Sequence, residues 1–215
     1  MLRRTFTASL GSVATAAALL AGSALPAAAW AADLSPEAMV QKVSGDTLAS
    51  IKADKAMQAG DVNRIIHLVD SKVMPHVDFA RMTASTVGPA WRTATPAQKA
   101  RLEQEFKTLL VRTYAGAFKM AGDKQVKVYP VRGGAASDVL VHSQLIGGSG
   151  QPVNLDYRLE KTPGHGYGWK AYNLNVGGVW MIDTYKQQFA QEVNTKGVDS
   201  LIASLAAKNR ANAGR

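Results

Sequence analysis

The sequence predicts an α+β domain in which an antiparallel sheet of about four strands is packed on one side by helices. Three observations predict it. Apolar residues recur at spacings of three and four from Ser35 to about Met120, the period falls to two after Gly122-Asp123, and a helical spacing returns beyond Val176.

The first 31 residues stand apart from that domain. Arg3 and Arg4 form a basic start, Ala14 to Ala21 is an apolar run, and Ala29-Trp30-Ala31 gives a small-x-small pattern. These are the marks of a secretory signal peptide. The run is shorter than the ~20 residues that a membrane span needs. The arginine pair leaves both the general secretory and the twin-arginine routes open. Cleavage after Ala31 leaves 184 of the 215 residues, 32–215, as one domain with a sizeable core.

Ser35 with Pro36 at the first helical position opens a helix to about Met57, its face marked by Met39, Val43, Leu48 and Ile51. Gly60-Asp61 separates it from a second helix with Ile65, Ile66, Val69 and Val73, stopped at Pro75. Asp78 caps a short helix carrying Phe79 and Met82, which ends near Gly88-Pro89. Thr95-Pro96 then starts the longest helix, and Leu102, Phe106, Leu109, Leu110, Tyr114, Ala117 and Phe118 form one wide stripe along it. Strands are expected from Val126 to Val131, Asp138 to Ile146, Gln151 to Lys161 and Tyr167 to Val176, with turns at Gly147 to Gly150 and Pro163 to Gly168. In the third, Val153, Leu155, Tyr157 and Leu159 alternate with Asn154, Asp156, Arg158 and Glu160, so one face is wet and the other covered. Two helices, from about Trp180 to Asn194 and from Gly197 to Lys208, close the chain.

Composition excludes several classes of function. Without cysteine the chain has no disulfides and no thiolate metal or redox sites, so the fold holds by packing alone. Loss of Arg3 and Arg4 with the leader lowers the net charge from +9 to +7. In an exported protein that excess meets anionic lipid and envelope surfaces, and nucleic acid is not an expected partner. No later apolar run reaches spanning length and no cysteine follows the leader to take a lipid, so a soluble periplasmic monomer is expected.

No motif carries catalysis. Gly164, Gly166 and Gly168 lie between two strands, whereas a dinucleotide-binding loop follows a strand and opens a helix. Gly148-Ser149-Gly150 misses both the spacing and the context of a nucleophile elbow. His67, His76, His142 and His165 lack the one-face helical spacing of a metal site. Glu103 and Glu105 lie on different helix faces, and Asp156 and Glu160 belong to the wet face of a strand. Arg81, Arg92, Lys99, Arg101, Lys107, Arg112, Lys119, Lys124 and Lys127 are scattered and read as a solubilising surface. The apolar residues are plentiful, and periodicity does not divide them between a core and a pocket.

Five stretches stand out, VMPHVDFARM (73–82), VGPAWRTATPAQKARLEQEF (87–106), LLVRTYAGAF (109–118), WKAYNLNVGGVWMIDTYKQQF (169–189) and KGVDSLIASL (196–205). Together they resemble the MlaC family, periplasmic phospholipid-binding proteins also called toluene-tolerance auxiliary proteins. The resemblance implies a twisted antiparallel sheet and helices enclosing a deep apolar cavity. It implies a carrier of glycerophospholipid, as cargo and not as cofactor, between an outer-membrane lipoprotein-porin complex and an inner-membrane ABC transporter with an MCE-domain subunit. Acyl chains are then expected between the sheet residues Val139, Val141, Leu155 and Tyr157 and the helical residues Phe79, Met82, Phe106, Leu110, Tyr114, Val179 and Met181. Many members have a small polar residue after Gly-Val where this chain has Trp180, which is therefore expected to line the cavity, stand at its mouth or pack outside it.

In NLNVGGVWMIDTYKQQF (173–189), Gly177 and Gly178 are expected to turn the last strand sharply into the closing helix, delivering Val179 and Met181 inward. Two rival readings stay open. One is a small hydrolase or isomerase using the same cavity, with Asp138, Asp156 and Asp183 as its candidate ionisable groups. The other is a periplasmic adaptor that binds its partner through a surface patch.

Overall fold

The computed structural model describes residues 33–119, 121–132, 137–148 and 150–214. The expected signal peptide lies outside the described residues. Helix α1 (Pro36–Ala53) starts where Ser35 Oγ accepts the Ala38 N–H at 3.2 Å. The single helix expected to reach Met57 is broken at Asp54, whose carboxylate accepts the N–H groups of Ala56 and Met57 and restarts the chain as α2 (Lys55–Ala59). Asp61 caps α3 (Val62–Leu68) in the same way, and the chain runs on through a π-helical turn, Val69–Val73, and a 3-10 turn, Met74–His76.

After Pro75 the backbone becomes extended, Val77 bridges to Ala171 in parallel, and the Asp78 N–H donates to the Ala171 carbonyl at 2.8 Å. Asp78 then caps α4 (Phe79–Val87) by accepting the Arg81 N–H. A one-turn helix, α5 (Ala90–Thr93), leads to α6 (Pro96–Lys119). Its start is a capping box: Thr95 Oγ1 accepts from the Gln98 N–H while Gln98 Oε1 accepts from the Thr95 N–H.

The sheet holds β1 (Gln125–Val128), β2 (Asp138–Ile146), β3 (Val153–Thr162), β4 (Gly168–Val176) and β5 (Val179–Trp180), antiparallel throughout and in chain order. The fifth strand corrects the expected path. Gly177 and Gly178 have φ of 61° and 94°, so they form a two-residue hairpin turn that sends the chain back along β4 for two residues before α7 (Met181–Lys196) begins. The Gly178 N–H donates to Asn175 Oδ1 at 2.8 Å and pins that turn. Helix α8 (Val198–Ala211) follows and runs parallel to α6, with Gln98 bonded to Asp199 at one end and Asn209 to Glu105 at the other.

Two large cores result, with two smaller clusters beside them, Ile51 with Leu68 and Ala121, and Ile65 with Val111 and Ala115. The helical core joins α4, α6, α7 and α8 through Phe79, Met82, Leu102, Phe106, Met181, Phe189 and their neighbours. Phe106 is fully buried, its ring 5.6 Å from Phe79, 5.2 Å from Tyr185 and 5.1 Å from Phe189. The sheet core lies under α1, where Met39 and Val40 meet Val139, Val141, Leu159 and Trp169. Trp169 Nε1 donates to the Leu34 carbonyl at 3.0 Å and ties the start of the domain to this core. Among the described residues no helix is long and apolar enough to cross a membrane.

Phe106→Ala removes the ring on which three others pack. A loss of about 3–5 kcal/mol in unfolding free energy is expected, measured by urea denaturation followed by circular dichroism.

Candidate functional site

Register fixes which side chains of the sheet share the covered face. Val139 pairs with Leu159, Val141 with Tyr157 and Ser143 with Leu155, and on the next strand Tyr157 pairs with Leu174 and Leu155 with Val176. Toward the end under α1 this face is sealed, with Val139, Val141, Leu159 and Trp169 all buried. Toward the β2–β3 turn it is not. Leu145, Val153 and Leu155, with Val126 opposite Leu145 on β1, are apolar residues of the same face, yet they are half-buried and belong to neither core.

That difference marks the end of the face that is less covered than the end under α1. Leu155 sits on the central strand of the sheet, four residues before fully buried Leu159 on the same face. A close-packed interior would bury both alike. On the helical side, Leu110 and Tyr114 of α6 and Leu174 and Val176 of β4 are half-buried at the border of the helical core. A strip of half-buried apolar side chains, the seam, therefore runs along the sheet at the border of the two large cores.

The polar groups at the seam are few and mostly committed. The Ser143 hydroxyl donates to the Leu155 carbonyl at 2.6 Å. Tyr157, half-buried at the edge of the sheet core, has its hydroxyl 3.3 Å from Ser44 Oγ on α1, and burial pushes its phenol above the ordinary range. Burial likewise raises the Tyr114 phenol, with Tyr185 adding to the effect. Such a surface favours an apolar guest.

The expected residues divide among six places. Phe79, Met82, Phe106 and Met181 are buried within the helical core, where they support the wall. Leu110 and Tyr114 stand at that core's border on the seam. Val139 and Val141 are packed under α1, while Leu155 and Tyr157 lie on the seam floor. Val179 is 49% exposed at the hairpin, so the diglycine does not deliver it inward. Trp180 pairs with Asn175, and its ring faces the guanidinium of Arg158 at 4.8 Å. Arg158 belongs to the wet face, so this ring lies across the sheet from Leu155 and Tyr157.

Val126, Leu145, Leu174 and Val176 are not among the expected site residues, and Val153 is expected only on the covered face. The signal was the alternation itself: Leu145 and Val153 share the phase of expected floor residues, Leu174 and Val176 sit opposite two of them, and Val126 sits opposite Leu145. The carboxylates of the enzymatic rival lie elsewhere. Asp138 and Asp183 are exposed, and Asp156 is bonded to His142 at 3.1 Å on the wet face. Among the described residues no group of three or more histidines and carboxylates is placed to hold a metal.

A sheet whose covered face is left partly open beneath helices defines a small binding domain with an apolar site. A model of the MlaC protein family matches residues 41–207, and the chain belongs to that family. A solved structure, the phospholipid-binding protein from Ralstonia solanacearum in complex with a phospholipid, is 40% identical with a TM-score of 0.77, covering 82% of this chain and 98% of its own. The toluene tolerance protein ttg2D of Pseudomonas putida is 26% identical over 165 residues, 76% of this chain and 75% of that protein. The intermembrane phospholipid transport system binding protein MlaC of Haemophilus influenzae is 20% identical over 176 residues, 81% and 82% of the two chains.

The seam makes a prediction that concerns stability alone. Leu159→Phe overpacks a closed core and is expected to cost about 1–3 kcal/mol, whereas Leu155→Phe, with space before it, is expected to cost less than about 0.5 kcal/mol. Equilibrium urea unfolding of the two variants checks this.

Proposed function

We propose that this protein is a periplasmic phospholipid carrier whose acyl-chain site is the seam between the two cores. One observation carries the reading: a 40% identical protein of the same fold was solved holding a phospholipid. The half-buried apolar floor agrees with it, since side chains such as Leu155 and Val153 gain contacts only when a guest covers them.

Physical scale supports a carrier over an enzyme. Each CH₂ withdrawn from water is worth ~0.8 kcal/mol, so two acyl chains represent tens of kcal/mol of burial. A carrier has to match a bilayer closely without surpassing it, or the lipid never leaves. Greasy walls supply that balance with no spaced polar constellation. Transport between an outer-membrane lipoprotein-porin complex and an inner-membrane MCE-domain ABC transporter is the family's expected route, supported here by the intermembrane transport named for the Haemophilus influenzae relative. Export through a signal peptide at residues 1–31 belongs to the same reading, with cleavage placing residues 32–215 in the periplasm as a monomer.

The test is lipid content. Protein purified from a Gram-negative host is expected to carry phospholipid by native mass spectrometry and solvent extraction, and to take it up from vesicles once stripped. Leu155→Trp, filling the seam, is expected to lower the load at least twofold while the circular dichroism spectrum is unchanged. Lipid-free protein that also takes up none from vesicles ends the proposal.

A further inference from the structure

Among the described residues Lys124 departs from the other lysines and arginines. It is only 5% exposed, and it is the one lysine buried among the described residues. It lies two positions before Val126, in phase with the floor of the seam, where the turn after α6 enters β1. Its ammonium donates to the Gly147 carbonyl in the β2–β3 turn, and among the described residues no carboxylate comes within ion-pair distance of it.

The turn is shaped around that ammonium. Cβ atoms added to Gly150 and Gly148 would stand 3.4 Å and 3.6 Å from Lys124 Nζ, and one on Gly147 would meet the Asp123 carbonyl oxygen at 2.6 Å. Gly147 and Gly148 also take left-handed φ values of 104° and 64°. Glycines thus let the backbone close on the ammonium from two sides. An ammonium has three donors, and burying one against a single carbonyl leaves charge and donors under-compensated.

An anion completes such a site. The glycine turn follows Ile146 and precedes Val153, so it stands where the half-buried floor of Leu145, Val153 and Leu155 ends. We infer that the Lys124 ammonium, held by the Gly147 carbonyl, forms a subsite for the phosphodiester of the bound lipid, placing the head group at the β2–β3 end of the seam. This inference rests on the lipid reading above. It adds recognition of the phosphate to the burial of the chains: phospholipid is preferred over a diacylglycerol of identical chains. Charge-assisted hydrogen bonds of this kind supply the preference.

Stripped full-chain protein is offered vesicles holding equal amounts of phosphatidylglycerol and diacylglycerol with matched chains, and the lipid taken up is extracted and weighed by mass spectrometry. Lys124→Met is expected to lower the phospholipid-to-diacylglycerol ratio about tenfold relative to the unaltered protein, and Lys124→Arg to recover most of it. An equal ratio in all three, even with a lower melting temperature for Lys124→Met, means a staple for the turn only and overturns the subsite. Uptake of neither lipid by the unaltered protein overturns the carrier reading itself, a distinguishable failure. Should Lys124→Met not fold, the ammonium resonances of the unaltered protein decide, with Lys124→Arg giving the assignment. The Lys124 signal is expected to shift on loading with phosphatidylglycerol and to stay put with diacylglycerol, and no difference between them overturns the subsite.

Discussion

Phe106 and the three rings around it hold the helical layer together, and the open seam follows from that arrangement. Aromatic contacts at 5.1–5.6 Å join α4, α6 and α7 into a core complete in itself. Tilted and edge-on geometries of this kind add to the burial of the rings. A helical layer that satisfies its apolar side chains internally does not need the whole sheet as a partner. Helix α1 covers the other half of the sheet with Met39 and Val40, and the strip between the two packings stays uncovered. In most small domains a gap of this sort is an energetic defect. On the proposed reading it is where a lipid chain would lie, against the side chains that have fewest partners in the protein itself.

The polar inventory fits the same logic. Glu105 is buried, but Arg101 and Asn209 compensate it on the helical side, away from the seam. Arg81, Asp138, Glu160 and Tyr172 form a partly exposed network at the β4 edge, with the guanidinium stacked 3.6 Å from the tyrosine ring centre. Charge is thus kept to the rim and the wet face, while the floor offers carbon. Lys124 is the exception, and its place at the end of the floor gives that exception a use.

Much of the fold was legible in the sequence, and the reason is local. Ser35, Asp78 and Thr95 each cap the helix they were expected to open, because capping requires only a side-chain oxygen and the next turn of backbone. The period-two alternation of β3 likewise gave its wet and covered faces. The breaks at Asp54 and after Gly178 were misread for a matching reason: a residue that ends one helix by capping another, and a two-residue return strand, leave no periodic trace. The site was less legible still. Leu155 and Leu159 are the same residue in the same phase of one strand, and only the placement of helices above them makes one floor and the other core. Family likeness supplied the idea of a cavity, and register showed which side chains share the covered face.

The register shift between Arg158 and Leu159 lies where β4 passes from one core to the other. It shifts the phase of β4, so that Trp169 and Ala171 join the sheet core while Leu174 and Val176 border the helical one. An extra residue in one strand bends and twists it. Tyr157 pairs with Leu174 and Val77 bridges to Ala171 across this bend, so the two cores are joined there as well as distinguished. A substitution on the helical side is therefore felt by the sheet through that one junction, and the strand pairs beyond it keep their register.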